Sequence, residues 1–255
     1  MLVNFILSGA AGGLLIGMTG IGGGSLMTPL LVMGFGIPPA TAIGTDLLYA
    51  ALTKAGAVAC HQRHGNVSWR TAGWLLVGSL PGSGLTLWIL QRIPASPLLD
   101  QTLRQGLVVA LTLTTLALWK RRTPPKSAGT PHAQVWTPIL GFFIGVLVTL
   151  SSVGGGALGT ALLLVLYPGF GFSTIVGTEL AHAVPLTLLA GLGHLRLGHV
   201  DGTLLVALLA GSLPGLWVGT RLNHHLPERI TRAGLSLLLL GLAFGLWHSM
   251  PGKIA

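Results

Sequence analysis

The chain has 255 residues, of which 51% are hydrophobic and only 7% are charged, and its mean hydropathy is +0.78. Soluble domains carry roughly 25% charged residues, so this composition excludes a water-soluble protein and predicts an all-α polytopic membrane protein. The net charge of +9 does not indicate a nucleic-acid partner. The basic residues are spread through short loops between apolar segments, as the positive-inside rule expects.

Charge, proline and glycine divide the chain into ten apolar segments. In the first half they lie near residues 2–19, 24–36, 39–60, 71–90 and 105–119. In the second half they lie near residues 137–152, 156–168, 173–193, 203–220 and 233–248. Segments as short as 24–36 are too short to cross a bilayer fully, so we expect broken or re-entrant helices hinged at the adjacent glycines.

The two halves repeat each other at a nearly constant separation. The matching positions are Gly22–Gly24 with Gly154–Gly156, Gly44–Leu47 with Gly177–Leu180, Gly78–Gly82 with Gly211–Gly215, and His61 with His194. We therefore assign residues 1–122 to a first transmembrane repeat, 123–136 to a linker and 137–255 to a second repeat. A duplicated membrane chain with glycine-broken segments in matching places indicates a transporter whose site lies between its halves.

The orientation of the two repeats follows from the number of segments. Five segments per half is an odd number, which predicts that the second half is inverted relative to the first. With residues 120–126 facing the cytoplasm, nine basic residues fall on that side and four on the other, and both termini face outward. A second possibility stays open, because fusing segments two and three would leave four crossings per half and a parallel repeat.

The glycine runs are the first candidate site. Gly20–Ser25 and Ser151–Gly156 interrupt apolar sequence, and each precedes a stretch that can start a helix. The start of a helix presents unpaired backbone N–H groups and the positive end of the dipole, which suits an anion. The alternative is that the glycines only let helices pack closely. Three glycines in succession lower helix propensity more than packing requires.

Two acids occupy equivalent positions of the repeat inside apolar segments. A carboxylate at such a depth is costly and indicates function, so Asp46 and Glu179 are predicted to couple transport to protons. His182 shares a helix face with Glu179 and is either part of the same proton relay or a partner in a polar network. The alternative for the acids is hydration near an interface or pairing with a base such as Lys54.

The chain also resembles a known family. Gly22–Leu31, with its glycines followed by Pro-Leu-Leu, Ala42–Thr45 and Gly65–Val67 resemble the pattern of the TauE/SafE family of sulfite and organosulfonate exporters. The resemblance spans both halves and implies a multi-pass carrier of the plasma (inner) membrane for sulfite, sulfoacetate or a related sulfonate, coupled to an ion gradient. The substrate-binding residues that it implies are Gly22, Gly23, Gly24, Ser25, Thr45, Gly154, Gly155, Gly156 and Thr178. Asp46 and Glu179 stand where the family leads us to expect a small polar residue.

These features predict a secondary transporter that moves a small sulfur-containing or organic anion by alternating access. Because ionised Asp46 and Glu179 would repel an anion, we hypothesise that proton and anion bind together. A cation or divalent-metal carrier that uses the same acids is the alternative. A membrane-embedded enzyme is a third possibility, although no catalytic motif is present. The expected partners are the anion and the lipid bilayer, and no cofactor or bound metal is predicted.

Overall fold

The computed structural model describes residues 2–19, 24–93, 96–119, 133–223 and 228–248, and within these ranges the regular structure is entirely α-helical. The helices of the first half are α1 (Leu2–Thr19), α2 (Gly24–Phe35), α3 (Pro39–Arg63), α4 (Trp69–Leu90) and α5 (Pro97–Trp119). Those of the second half are α6 (Ala133–Ser151), α7 (Ala157–Leu166), α8 (Phe172–Arg196), α9 (Gly202–Asn223) and α10 (Glu228–His248). The predicted all-α class is confirmed.

Proline and glycine set several of the boundaries. Gly36, at a φ of 65°, ends α2, and Pro39 begins α3, so segments two and three are separate helices. Pro97 begins α5 earlier than the predicted residue 105. Residues 133–136, predicted as part of the linker, form the first turn of α6.

Helix length and composition agree with a multi-pass membrane protein. Four helices of the described ranges are long and apolar enough to cross a bilayer, namely α4, α6, α8 and the 202–219 part of α9. In contrast, α2 has 12 residues and α7 has 10. At 1.5 Å per residue they reach about 15 to 18 Å, roughly half of the hydrocarbon thickness. Their re-entrant orientation stays a prediction.

The first helix of each half packs on the fourth helix of the other half. Helix α1 packs on α9, and its counterpart α6 packs on α4. Both contacts depend on glycine, because a Cβ at Gly211 would collide with the carbonyl oxygen of Ile6. In the same way, a Cβ at Gly78 would collide with the carbonyl oxygen of Pro138. Small residues let membrane helices approach to backbone contact, and here they do so at equivalent positions of the repeat.

The centre of the fold is the pair α3 and α8, which pack on each other. Most of α8 is buried, including its polar residues Thr178, Glu179 and His182. Apolar clusters surround the pair, and the short helices α2 and α7 pack on α3 and α8 respectively. The polar residues of both halves are thereby brought into one interior. The inverted orientation of the halves in the membrane stays a prediction.

Candidate functional site

The second glycine run forms the turn between α6 and α7. Gly154 has a φ of 118°, which favours glycine, and Ser152 lies in the left-handed region at 59°. A strained serine of this kind costs about 1 kcal/mol or more and tends to occur at functional sites. Gly156 precedes α7 and makes no side-chain cap. The first N–H groups of the helix therefore lack a side-chain acceptor and can serve a ligand.

A lysine from the other half reaches this turn. The Nζ of Lys54 donates a hydrogen bond of 2.6 Å to the carbonyl oxygen of Gly155, and the side chain is only 6% exposed. The charge of Lys54 also acts on Asp46, Glu179 and His182. The interior therefore contains one cation within electrostatic range of two acids, beside the start of a helix.

Asp46 connects α3 to α2. Its Oδ2 accepts a hydrogen bond of 2.5 Å from the hydroxyl of Thr28, and Ser152 lies beside the carboxyl group. The whole side chain is buried, and Oδ1 makes no hydrogen bond to the described residues. One oxygen is thus held by the protein and the other is available.

Glu179 lies at the equivalent position of α8, but its contacts differ. Its side chain packs against α7, since a Cβ at Gly159 would lie 3.0 Å from Cγ. Its Oε1 has no hydrogen-bond partner among the described residues, and neither has the hydroxyl of Thr160, the counterpart of Thr28. The acid–threonine bond of the first half is therefore absent from the described part of the second.

His182 joins α8 to α4. Its Nε2 lies 2.9 Å from the hydroxyl of Ser79, and its Nδ1 makes no hydrogen bond within the described ranges. Buried polar groups are almost always hydrogen-bonded. Four such atoms, which belong to residues near Lys54 or Asp46, lack a partner in the described part of the chain: Asp46 Oδ1, Ser152 Oγ, Glu179 Oε1 and His182 Nδ1. Their concentration in one region distinguishes it from an ordinary packed core.

Two predicted site residues are directed elsewhere. The hydroxyl of Thr45 accepts a hydrogen bond of 3.1 Å from the backbone N–H of Asp201, in the loop between α8 and α9. The hydroxyl of Thr178 accepts one of 2.9 Å from Ser68, in the loop between α3 and α4. Both bonds join one half to the other, and their substrate-binding role stays a prediction.

The remaining predicted residues belong to the first glycine run. Gly22 and Gly23 lie outside the described residues, whereas Gly24 begins α2 and Ser25 follows it in the helix. The structure thus brings together Gly154–Gly156 with Asp46, Glu179 and His182. Among the residues described, no group of three His, Cys, Asp or Glu side chains is placed to hold a metal ion.

The contact of Lys54 with the second glycine run was not predicted from the sequence, which suggested Lys54 only as a base that could pair with the acids. Lys54 follows Asp46 by two helical turns, so the two residues lie near one face of α3. That spacing was a usable signal. Its contact with Gly155, across 101 positions of sequence, was not visible in the sequence.

Comparisons with known proteins agree with a transporter. The family model described as "Sulfite exporter TauE/SafE" matches residues 5–246. A Bacillus subtilis (strain 168) protein, "Probable membrane transporter protein YjnA", is 34% identical over 238 residues, which cover 90% of this chain and 93% of that protein. A second, YdhB of the same strain, is 28% identical over 93% of this chain and 94% of its own length.

A "Probable membrane transporter protein" of Xylella fastidiosa (strain 9a5c) is 29% identical over all of this chain and 98% of its own length. No solved structure matches the chain. The names of the relatives indicate a membrane transporter rather than an enzyme. The resemblance found in the sequence is confirmed, and with a family model that matches nearly its whole length this multi-pass membrane protein belongs to the TauE/SafE sulfite exporter family.

Proposed function

We propose that the protein is a secondary transporter that carries a small sulfur-containing or organic anion across the plasma membrane by alternating access, together with a proton. The observation that carries the proposal is the buried region between α3, α7 and α8. There a lysine, two acids and an uncapped helix start meet, and four polar atoms lack partners among the described residues.

An anion suits the positive groups of this region. The start of α7 offers N–H groups and the positive end of a helix dipole. Lys54 adds a full positive charge beside Gly155. Sulfite and sulfonates present several oxygens that can each accept a hydrogen bond. Together these groups would replace part of the water that such an anion loses on entering the membrane.

The acids supply a route to proton coupling. If Lys54 is charged, one ionised carboxylate, of either Asp46 or Glu179, brings the net charge of the site to zero. A bound anion would add one negative charge, and a proton on that carboxylate would restore the net charge to zero. A neutral load also avoids the cost of about 2.3 kcal/mol per charge for each 100 mV of membrane potential. Among the described residues, His182 on α8 is a further titratable group near Lys54.

Alternating access is supported by the paired contacts of the halves. The glycine contacts between α1 and α9 have counterparts between α4 and α6. The Thr45 and Thr178 hydrogen bonds join each half to a loop of the other. Two equivalent sets of contacts allow one set to open while the other closes around a fixed central site.

Uptake into proteoliposomes tests the proposal directly. Purified protein is reconstituted, and vesicles are offered sulfite, sulfoacetate, methanesulfonate, chloride and divalent metal ions under an imposed proton gradient. We expect saturable and chemically unchanged accumulation of at least one sulfur-containing anion. Saturable metal flux without anion flux would instead support the cation carrier, which is favoured by the unpaired oxygens of Asp46 and Glu179. A chemically altered product would support an enzyme.

Reporters of membrane sidedness test the inverted repeat. One reporter is fused after Ala255 and another is inserted within residues 123–134. We expect the two to lie on opposite sides of the membrane, because an odd number of crossings separates them. Reporters on the same side would rule out the inverted repeat and support the parallel alternative.

A further inference from the structure

The two halves differ at one charged position in their central helices. Lys54 of α3 corresponds to Thr187 of α8 in the repeat. Thr187 donates a hydrogen bond of 2.8 Å to Ala183 of its own helix and is 1% exposed. Lys54 instead crosses to the glycine run of the other half. Only one of the two equivalent positions therefore provides a cation.

The surroundings of Lys54 are those of a binding site rather than of a surface ion pair. Its ammonium is buried and carries three N–H donors, of which the carbonyl oxygen of Gly155 accepts one. The start of α7 lies immediately beyond that carbonyl group, without a side-chain cap. Ser152, in the turn before α7, and Thr160, in the first turn of α7, are both buried, and their hydroxyls have no hydrogen-bond partner among the described residues.

On the basis of the proposed function, we propose that Lys54 is the residue that binds the transported anion, at the second glycine run. The chain would then hold one anion rather than one per repeat. One oxygen of a sulfite or sulfonate group would accept a hydrogen bond from Lys54, and the others would accept hydrogen bonds from the N–H groups at the start of α7. The first glycine run, most of which lies outside the described residues, would serve the conformational change.

The competing role for Lys54 is structural. A buried cation beside two acids also neutralises them, and its removal leaves an uncompensated charge that can prevent folding. A single Lys54→Gln substitution does not separate the two roles. The separation requires a pair of variants that differ only at Lys54 and both carry Glu179→Gln, so that removal of Lys54 leaves only Asp46, which Thr28 already binds.

The experiment compares Glu179→Gln with the double variant Lys54→Gln/Glu179→Gln. Binding of sulfite and sulfoacetate to the purified full chain is measured by calorimetry at fixed pH. Glu179→Gln removes a competitor for Lys54, so we expect it to bind the anion more tightly than the original protein. Adding Lys54→Gln should weaken binding by about 30-fold, because a charged hydrogen bond is lost from a buried site. Thr187→Val, a buried change of similar shape at the equivalent position, is the control and should bind as the original protein does.

The outcomes distinguish this inference from the proposed function. If the original protein binds one anion per chain and the two Glu179→Gln variants bind with affinities within threefold of each other, Lys54 is not the binding residue and the transporter proposal stands. Two anions per chain would also overturn the single-site inference. If the original protein binds no sulfur-containing anion, the proposed substrate class fails and the role of Lys54 fails with it.

Discussion

The first and second halves of this chain agree in their packing and differ in their polar centre. Most of the glycines that join α1 to α9 have counterparts between α6 and α4. At the centre, however, Asp46 is bonded to Thr28, whereas Glu179 and Thr160 have no such bond within the described residues. Lys54 also has a threonine, Thr187, as its counterpart in the other half. If the protein works by the proposed alternating access, equivalent packing would let the halves move in equivalent ways. The unequal centre would then let them treat the substrate and the proton differently.

The largest expected effect is a loss of stability, and it tests whether the α4–α6 contact and the α1–α9 contact are equivalent. A Cβ at Gly78 or at Gly211 would collide with a backbone carbonyl oxygen, so Gly78→Ala and Gly211→Ala should each destabilise the fold by about 3 kcal/mol. Thermal unfolding in detergent measures the loss. Gly84→Ala is the control, because a Cβ there meets no atom within 4 Å.

Equal losses at Gly78 and Gly211 would support equivalent interfaces between the halves. A loss at only one of the two would show that the interfaces differ in energy although their contacts correspond. Unchanged stability in both variants would contradict the close approach of the helices at these positions.

The next prediction compares the two glycine runs. A Cβ at Gly155 would lie 3.8 Å from the Nζ of Lys54, so the methyl groups of Gly155→Val should displace the ammonium. We expect transport to fall by about 100-fold or more, as when a group that orients a bound substrate is moved by about 1 Å. Gly23→Val should also abolish transport if the first run acts as a hinge.

The two glycine variants differ in a second measurement. Anion binding should be lost in Gly155→Val, because Lys54 contacts the second run. It should be kept in Gly23→Val if the first run serves as a hinge. Both proteins should still reach the membrane, which surface labelling or membrane fractionation checks. Unimpaired transport in both variants would return the glycines to a packing role.

The acids provide a third comparison. The double variant Asp46→Asn/Glu179→Gln should keep anion binding and lose its dependence on pH and on the proton gradient. Among the single variants, Glu179→Gln should have the greater effect on coupling, since one oxygen of Asp46 is already held by Thr28. Proteoliposome flux under opposed proton gradients measures both effects.

Two results would contradict this comparison. Flux in the double variant that still follows the proton gradient would show that the coupling site lies elsewhere. Loss of divalent-metal flux in the double variant, in place of a change in anion flux, would favour the cation carrier.

The smallest expected effect concerns the loop between α8 and α9. Burial lowers the pKa of His199, and the nearby Asp100 carboxylate partly offsets this effect. The ring nitrogen Nδ1 of His199 lies 3.3 Å from Nδ1 of His194. Because the folded state resists protonation, stability should fall as pH decreases below about 6.5, the ordinary pKa of histidine.

His199→Asn copies Asn66, the residue at this position in the first half, and should remove part of the pH dependence. We expect a difference of at most about 2 °C in Tm between pH 8 and pH 5.5, measured by thermal unfolding. His64→Asn, in the loop between α3 and α4, is the control, because it also replaces one histidine by asparagine but at a different site. An identical pH dependence in His199→Asn and the original protein would exclude His199 as a contributor.

The features predicted correctly from the sequence are those that depend on residues close to each other in the chain. Hydropathy, proline and glycine placed the ten helices, including the short α2 and α7, because a helix boundary depends on residues close to it in the chain. The duplication predicted which acids correspond. The packing of α1 on α9 and of α6 on α4 was not predicted, because it depends on contacts between residues that are distant in the sequence.

The candidate site shows the same limit. Lys54 and Gly155 lie 101 positions apart, so no local pattern joins them. Thr45 was grouped with Asp46 although neighbouring residues of a helix point about 100° apart. The structure directs Thr45 to a loop and Asp46 to the interior, a separation that helix geometry alone would have predicted.

The exchange of first helices has a consequence for the origin of the chain. A polypeptide with only one half would contain both a first helix and a glycine-lined fourth helix, and two copies could exchange their first helices. The arrangement is that of a helix-swapped dimer whose subunits have become one polypeptide. Two identical subunits must carry every mutation twice, but a fused chain need not. Fusion would therefore have permitted a lysine at residue 54 and a threonine at the equivalent residue 187, and with them the single anion-binding residue that we propose.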